Sequence, residues 1–201
     1  MNAANVHAAM RRISAKMEAQ KALLIELDQQ NGDGDLGLSM AGGFAAVAAL
    51  PQQEADMGRL FMQMGRCFNE AAPSSLGTIL SFGMMGMAQA LKGHGEINVA
   101  QLAAAMRNGL DKIMEKAGSR PGEKTILDAL CPAVAAMQGE DNAHEAFCAA
   151  ARAAAEGSES TRGMRAVHGR AAYYGDKSVG LLDGGSVVGR LLFEALAETE
   201  D

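Results

Sequence analysis

A chain of 201 residues with 48% hydrophobic content is long enough for one buried core, short for two, and too apolar to be disordered. Its formal net charge of −6 argues against nucleic acid as a partner, because that calls for a basic face. No apolar run reaches the length of a membrane span and the N-terminus lacks the apolar stretch of a secretory signal, so the expectation is a cytoplasmic protein without membrane association.

Alanine dominates, methionine is abundant at 14 residues and tryptophan is absent. Alanine and methionine favour helix, while valine, isoleucine, tyrosine and phenylalanine are too scattered to build a sheet. The fold class expected is all-α, as a single domain over 1–201. Apolar periodicity and Gly/Pro punctuation predict helices over 3–30, 36–50, 56–71, 75–92, 98–117, 124–138, 142–157 and 185–199.

Between the first two helices runs Leu27-Asp28-Gln29-Gln30-Asn31-Gly32-Asp33-Gly34-Asp35-Leu36-Gly37. Asp28, Asp33 and Asp35 repel one another unless something positive sits between them, and the glycines permit tight turns. Such a set suits a hard cation such as Mg²⁺, which takes carboxylate oxygen and is shared with phosphates. A solvated polar turn explains the same residues. A Ca²⁺ loop of the EF-hand kind does not, since its required Gly and Glu would fall on Leu36 and Gly42.

Next, Ala71-Ala72-Pro73-Ser74-Ser75-Leu76-Gly77-Thr78 leads into an apolar helix. Ser74 or Ser75 can cap it, and free N–H groups with hydroxyls suit a phosphate, although an N-cap after proline accounts for the pattern too. Further on, Gly118-Ser119-Arg120-Pro121-Gly122-Glu123-Lys124-Thr125 carries a Gly-x-Lys-Thr ending. Glu123 interrupts the P-loop pattern and no strand precedes it, so that reading is rejected. Arg120 and Lys124 could face phosphate, but a lone basic pair in a loop is usually solvated.

The stretch 158–184 is rich in Gly, Arg and Ser, holds both tyrosines and has no sustained helical period, so much of it should be loop with a functional part. Within it, Arg170 offers a planar donor fork and Asp183 an acceptor beside Gly184 and Gly185. Cys67, Cys131 and Cys148 form no Cys-x-x-Cys pair, which predicts reduced thiols in the core. His7, His94, His144 and His168 are dispersed, so no hydrolytic triad is expected.

Taken in order, these loops resemble the nucleotide-binding L subunit, or L domain, of dihydroxyacetone kinases. The specific stretches are Gly32-Asp33-Gly34-Asp35, Pro121-Gly122-Glu123-Lys124-Thr125-Ile126-Leu127-Asp128 and Gly169-Arg170-Ala171-x-Tyr173-x-Gly175-x-x-Ser178-x-Gly180. The resemblance implies a barrel of eight antiparallel helices with the nucleotide, ADP or ATP, at one rim. It implies that Asp28, Asp33 and Asp35 hold two Mg²⁺ ions bridging the phosphates, while Gly37, Leu38 and Ser39 bring backbone and hydroxyl donors to phosphate. Ala72, Ser74 and Ser75 would line the phosphate or ribose from the other side, and Ile126, Arg170, Asp183, Gly184 and Gly185 would surround base and sugar. No side chain of this chain is expected to act as catalytic base or nucleophile.

By the same resemblance the ketose sits on a separate K-type subunit that docks over the rim. A third, M-type subunit of a phosphotransferase system rephosphorylates bound ADP in some versions, and a homodimer is a further assembly to test. Three positions depart from the family pattern: Leu36 stands where a histidine is common, Ala72-Pro73-Ser74-Ser75 replaces Gly-Ala-Ser-Gly-Pro, and Asp183-Gly184-Gly185 replaces Asp-Pro-Gly. The departures alter the clamp and leave the acid set intact. The function expected is phosphoryl transfer to a short ketose, with a nucleotide-loaded regulatory module lacking kinase activity as the alternative.

Overall fold

The computed structural model describes residues 1–198, and among them the regular structure is helical apart from one isolated bridge pairing Asn2 with Glu96. The α-helices are α1 (Ala3–Ala19), α2 (Lys21–Gln29), α3 (Leu36–Ala48), α4 (Met57–Ala71), α5 (Ser75–Ala90), α6 (Val99–Ala117), α7 (Leu127–Ala136), α8 (Ala143–Ser160) and α9 (Gly184–Ala197). Two 3₁₀ segments, Thr161–Gly163 and Arg170–Ser178, lie between α8 and α9.

Short polar side chains start most helices where the sequence places them. Asn2 and Asn98 form reciprocal capping boxes with Asn5 and Gln101, and Asp56, Ser74, Asn142 and Asp183 each accept a first-turn amide. In α4 the buried set Met57, Leu60, Phe61, Met64 and Phe68 follows the helical period and turns one face inward.

Each helix packs on the next along a course that closes on itself. α1 lies on α3, α3 on α4, then α5, α6, α7, α8 and α9 follow in turn, and α9 returns to α1. α2 continues α1 and packs on α3. Methionines fill much of the interior: Met17, Met40, Met57 and Met64 are fully buried, beside Phe44 and Phe68, whose rings meet edge-on with centroids 4.7 Å apart. An apolar cavity of about 490 Å³ opens among Ile13, Phe61, Met84, Leu110 and Phe193. No helix of the described residues is long and apolar enough to cross a membrane.

Three differences from the expected boundaries exceed two residues. The single helix over 3–30 breaks at Gln20, whose φ of −101° and ψ of 7° leave helical space, and no glycine or proline there announces the bend. The helix expected from 124 begins at Leu127, because Lys124 adopts a φ of 61° and the Asp128 carboxylate draws the preceding loop around the helix start. The helix expected to end at 157 runs to Ser160, and the end expected at 199 lies outside the described residues. The cysteines are free thiols, half-buried rather than central, with burial raising the pKa of Cys67 and Cys131.

Candidate functional site

Asp28 sits in the last turn of α2, and one oxygen of its carboxylate accepts the N–H of Gly34 at 2.8 Å and of Leu36 at 3.4 Å. These bonds fold residues 31–35 back across the helix end. Gly32 passes so close that a β-carbon there would lie 2.1 Å from Asp28 Oδ1, and Gly34 takes a φ of +79°, a region that side chains disfavour. The turn therefore needs both glycines, and it carries Asp33 and Asp35 to Asp28. One oxygen from each of the three lies within 4.8 Å of the other two.

Partial burial first, and then the charges of Asp33 and Asp28, push the Asp35 carboxyl above its usual range. The opposing charge is Arg170, whose Nη2 lies 2.7 Å from Asp33 Oδ2. A close trio of carboxylates with a single exposed guanidinium against it fits a hard divalent cation by donor type and by spacing. Behind it, α3 starts at Leu36, and Asp35 gives no side-chain cap to that helix. Asp28 answers the first amide of that helix instead, accepting the Leu36 N–H.

The facing wall is the start of α5, where Ser74 Oγ accepts the Gly77 N–H at 3.1 Å. Two further loops close the cleft. In the first, buried Asp128 accepts the N–H groups of Gly122 and, at 2.7 Å, Thr125. His168 Nε2 meets Glu123 Oε2 at 2.6 Å, and this contact leads the effects that lower the Glu123 carboxyl's pKa. In the second, Asp183 caps α9 by accepting the Ser186 N–H at 2.6 Å, and its own N–H donates to Thr161 Oγ1 at 3.1 Å. Burial pushes the Asp183 carboxyl up to about 6, against the pull of the Ser186 amide and the Lys124 charge.

The result is an open cleft of about 1110 Å³. Of the residues expected at the site, Asp28, Asp33, Asp35, Ser74, Ser75, Ile126, Arg170, Asp183, Gly184 and Gly185 line it together. Ala72 is fully buried beneath the α5 loop, and Gly37, Leu38 and Ser39 lie in the first turn of α3 outside the lining set. A β-carbon on Gly37 would strike the Lys21 carbonyl, so that residue faces α2. Leu36, the departure next to the acids, packs toward Gly184 and ties the acid turn to the start of α9.

Lys124, Thr125 and His168 also line the cleft. Lys124 is not the solvated side chain expected of a loop lysine: it is 4% exposed, with Nζ donating to the carbonyls of Thr161 at 2.7 Å and Leu181 at 2.5 Å. Arg120 instead caps the end of α6, donating to the Met114 and Ser119 carbonyls. The spacing Thr125-x-x-Asp128, a carboxylate three residues past a loop amide, was the readable sign that this loop is anchored.

An all-helical domain with such a cleft defines the class, and the DAK2 domain model matches residues 30–198: the chain belongs to the DAK2 domain family. It is 31% identical over 187 residues to the ADP-binding subunit DhaL of PEP-dependent dihydroxyacetone kinase 1 from Listeria innocua, covering 92% of this chain and 90% of that one. The corresponding ADP-binding subunit of Escherichia coli K12 is 29% identical over 180 residues, covering 87% and 86%. Among solved structures, the dihydroxyacetone kinase of Citrobacter freundii in complex with AMP-PNP and Mg²⁺ superposes with a TM-score of 0.77 at 25% identity over 98% of this chain. This chain spans 34% of that kinase's length.

Proposed function

We propose that the chain is the nucleotide-binding, phosphoryl-transferring subunit of a dihydroxyacetone-type kinase acting on a short ketose, with all of 1–201 forming the nucleotide-binding domain. The observation that carries this is the convergence of Asp28, Asp33 and Asp35 at the edge of a cleft that also presents the hydroxyl-capped start of α5. Relatives of nearly equal length are ADP-binding subunits of PEP-dependent kinases, which favours ADP as the resident nucleotide over freely exchanging ATP.

In this reading the three aspartates hold Mg²⁺, two ions with nucleotide present, which would neutralise the charge on the phosphate oxygens. The first-turn amides of α3 and the loop leading into α5 hold the phosphates from either side. Arg170, expected around base and sugar, lies against Asp33 at the acid end, where its fork could bridge two phosphate oxygens. Ile126 and the Asp183–Gly185 turn hold base and sugar. In this reading no side chain of this chain serves as acid or base, so the chain positions and stabilises while a K-type partner presents the ketose. An M-type subunit then restores the phosphate.

Exposed apolar side chains support docking beside the cleft: Tyr173 is 91% exposed and Leu38 60%, one on the Arg170 segment and the other on α3. The test is to denature the purified chain and measure released nucleotide by ion-exchange chromatography, with and without prior EDTA, then to titrate ADP and ATP with Mg²⁺. Stoichiometric ADP that EDTA strips, and ketose phosphorylation only on adding a K-type subunit, are the expected results. Absence of Mg²⁺-dependent binding of either nucleotide would sink the proposal.

A further inference from the structure

Lys124 combines two costly features in one residue. Among the described residues it is the one non-glycine with positive φ, at 61°, and its ammonium is taken out of water. Either feature persists only where the surroundings hold it in place, and together they mark a residue kept for a purpose. A loop that needed only to turn at this point would be served better by glycine and no charge.

The contacts show what the ammonium does. Its Nζ reaches the Thr161 carbonyl at the end of α8 and the Leu181 carbonyl just before α9, so one side chain joins three segments distant in sequence. The charged groups around it are Asp183 and Asp128, which favour the ammonium, and Arg162, which opposes it. Thr161 in turn receives the Asp183 N–H, and Asp183 holds the first turn of α9. The turn thus fixed lies directly against Ile126: a β-carbon on Gly185 would be 3.5 Å from the Ile126 nitrogen. These two surfaces form a wall of the cleft whose polar anchor is Lys124, whereas the acid turn is held by α2 and its own amides.

We propose, resting on the nucleotide-binding reading above, that Lys124 is a positioning residue that assembles the wall for base and sugar by tethering the Leu181–Gly185 turn to Ile126. The hydrogen bonds that hold the acid turn do not include it, and the packing link between the two ends is Leu36 against Gly184. The side chain therefore governs how well a whole nucleotide is distinguished from its bare polyphosphate.

The experiment compares wild type, Lys124→Met and Lys124→Arg by calorimetric titration with ADP and with inorganic triphosphate, each with Mg²⁺. Lys124→Met should lose ADP affinity by about tenfold or more, the scale of losing hydrogen bonds to a charged group. Its affinity for triphosphate should stay within about twofold of wild type, because the hydrogen bonds that hold the acid turn do not involve Lys124. Lys124→Arg should recover ADP binding in large part, which a role in packing alone would not produce, since Met is the closer match in shape.

Equal ADP affinity in wild type and Lys124→Met overturns the assignment, and so does a parallel loss of ADP and triphosphate. Wild-type protein that binds no ADP overturns the nucleotide reading and this inference with it. Should Lys124→Met fail to fold, the comparison moves to Lys124→Gln, which removes the charge and keeps a polar donor in the same place. The same selective loss of ADP binding is expected there, and its absence overturns the tether.

Discussion

The cleft holds two clusters of charge that differ in how they are balanced. At the acid turn, three carboxylates converge with only the exposed Arg170 fork against them, and burial, followed by the charges of Asp33 and Asp28, pushes the Asp35 carboxyl up. Around Lys124, opposite charges and backbone groups answer one another inside the protein: the ammonium meets two carbonyls, Asp128 meets two amides and Asp183 caps a helix. An unbalanced cluster at an open edge stores repulsion that an incoming cation relieves. A balanced one in the interior serves as scaffold. The contrast separates residues that should control binding from residues that should control stability.

The largest effect is expected at the unbalanced cluster. Asp33→Ala or Asp35→Ala should lower Mg²⁺-dependent ADP affinity by roughly 100-fold or more, since each removes a ligand and a charge from the site. Thermal unfolding without metal should stay level or rise, because a like charge is relieved. A marked fall in thermal stability would break the contrast.

At the balanced cluster the pattern should invert. Asp128→Ala leaves the Gly122 and Thr125 amides without their acceptor and should cost about 2–4 kcal/mol in urea unfolding. Mn²⁺ binding at the acid turn, followed by electron paramagnetic resonance, should change little. Arg170→Ala sharpens the contrast at smaller scale. Removing an exposed ion pair with Asp33 should tighten binding of Mn²⁺ alone by a few-fold, about 0–1 kcal/mol, while weakening ADP. Weakened Mn²⁺ binding would show that the guanidinium supports the metal site rather than standing in for a cation.

The unbalanced cluster was legible in the sequence because its chemistry is local. Asp28, Asp33 and Asp35 fall within one short turn, and the glycines that allow it, Gly32 and Gly34, stand beside them. Helix class and most helix starts were legible for the same reason, through caps such as Asn98 and Ser74. Of the balanced cluster only the Thr125-x-x-Asp128 spacing was readable, since Lys124 finds its partners 37 and 57 residues away, and both are backbone carbonyls that leave no mark on residue identity. The break at Gln20 was equally silent: it is a change of backbone angle in a run of good helix formers. Local patterns announce themselves, and tertiary tethers made to main-chain atoms do not.

His7 supplies a third case, a titratable group that is buried with neither ion nor hydrogen bond to answer it. It is 1% exposed in α1, and both ring nitrogens lack a hydrogen-bond partner. Burial, and then the charge of Arg11, lower its pKa from the ordinary value near 6.5. Between that depressed value and about 6.5 the unfolded chain holds a proton that the folded one lacks, so folding stability rises with pH across the window. The contribution is fully present above about 6.5 and is lost as pH falls toward the folded pKa. Urea unfolding of wild type against His7→Leu between pH 8 and 5 isolates it from the carboxylates, which titrate in both proteins. His7→Leu should gain about 1 kcal/mol near pH 7 by removing two unpaired polar atoms, with the gain growing as the pH drops. Parallel curves would mean that the imidazole takes up its proton as readily inside the fold as outside it.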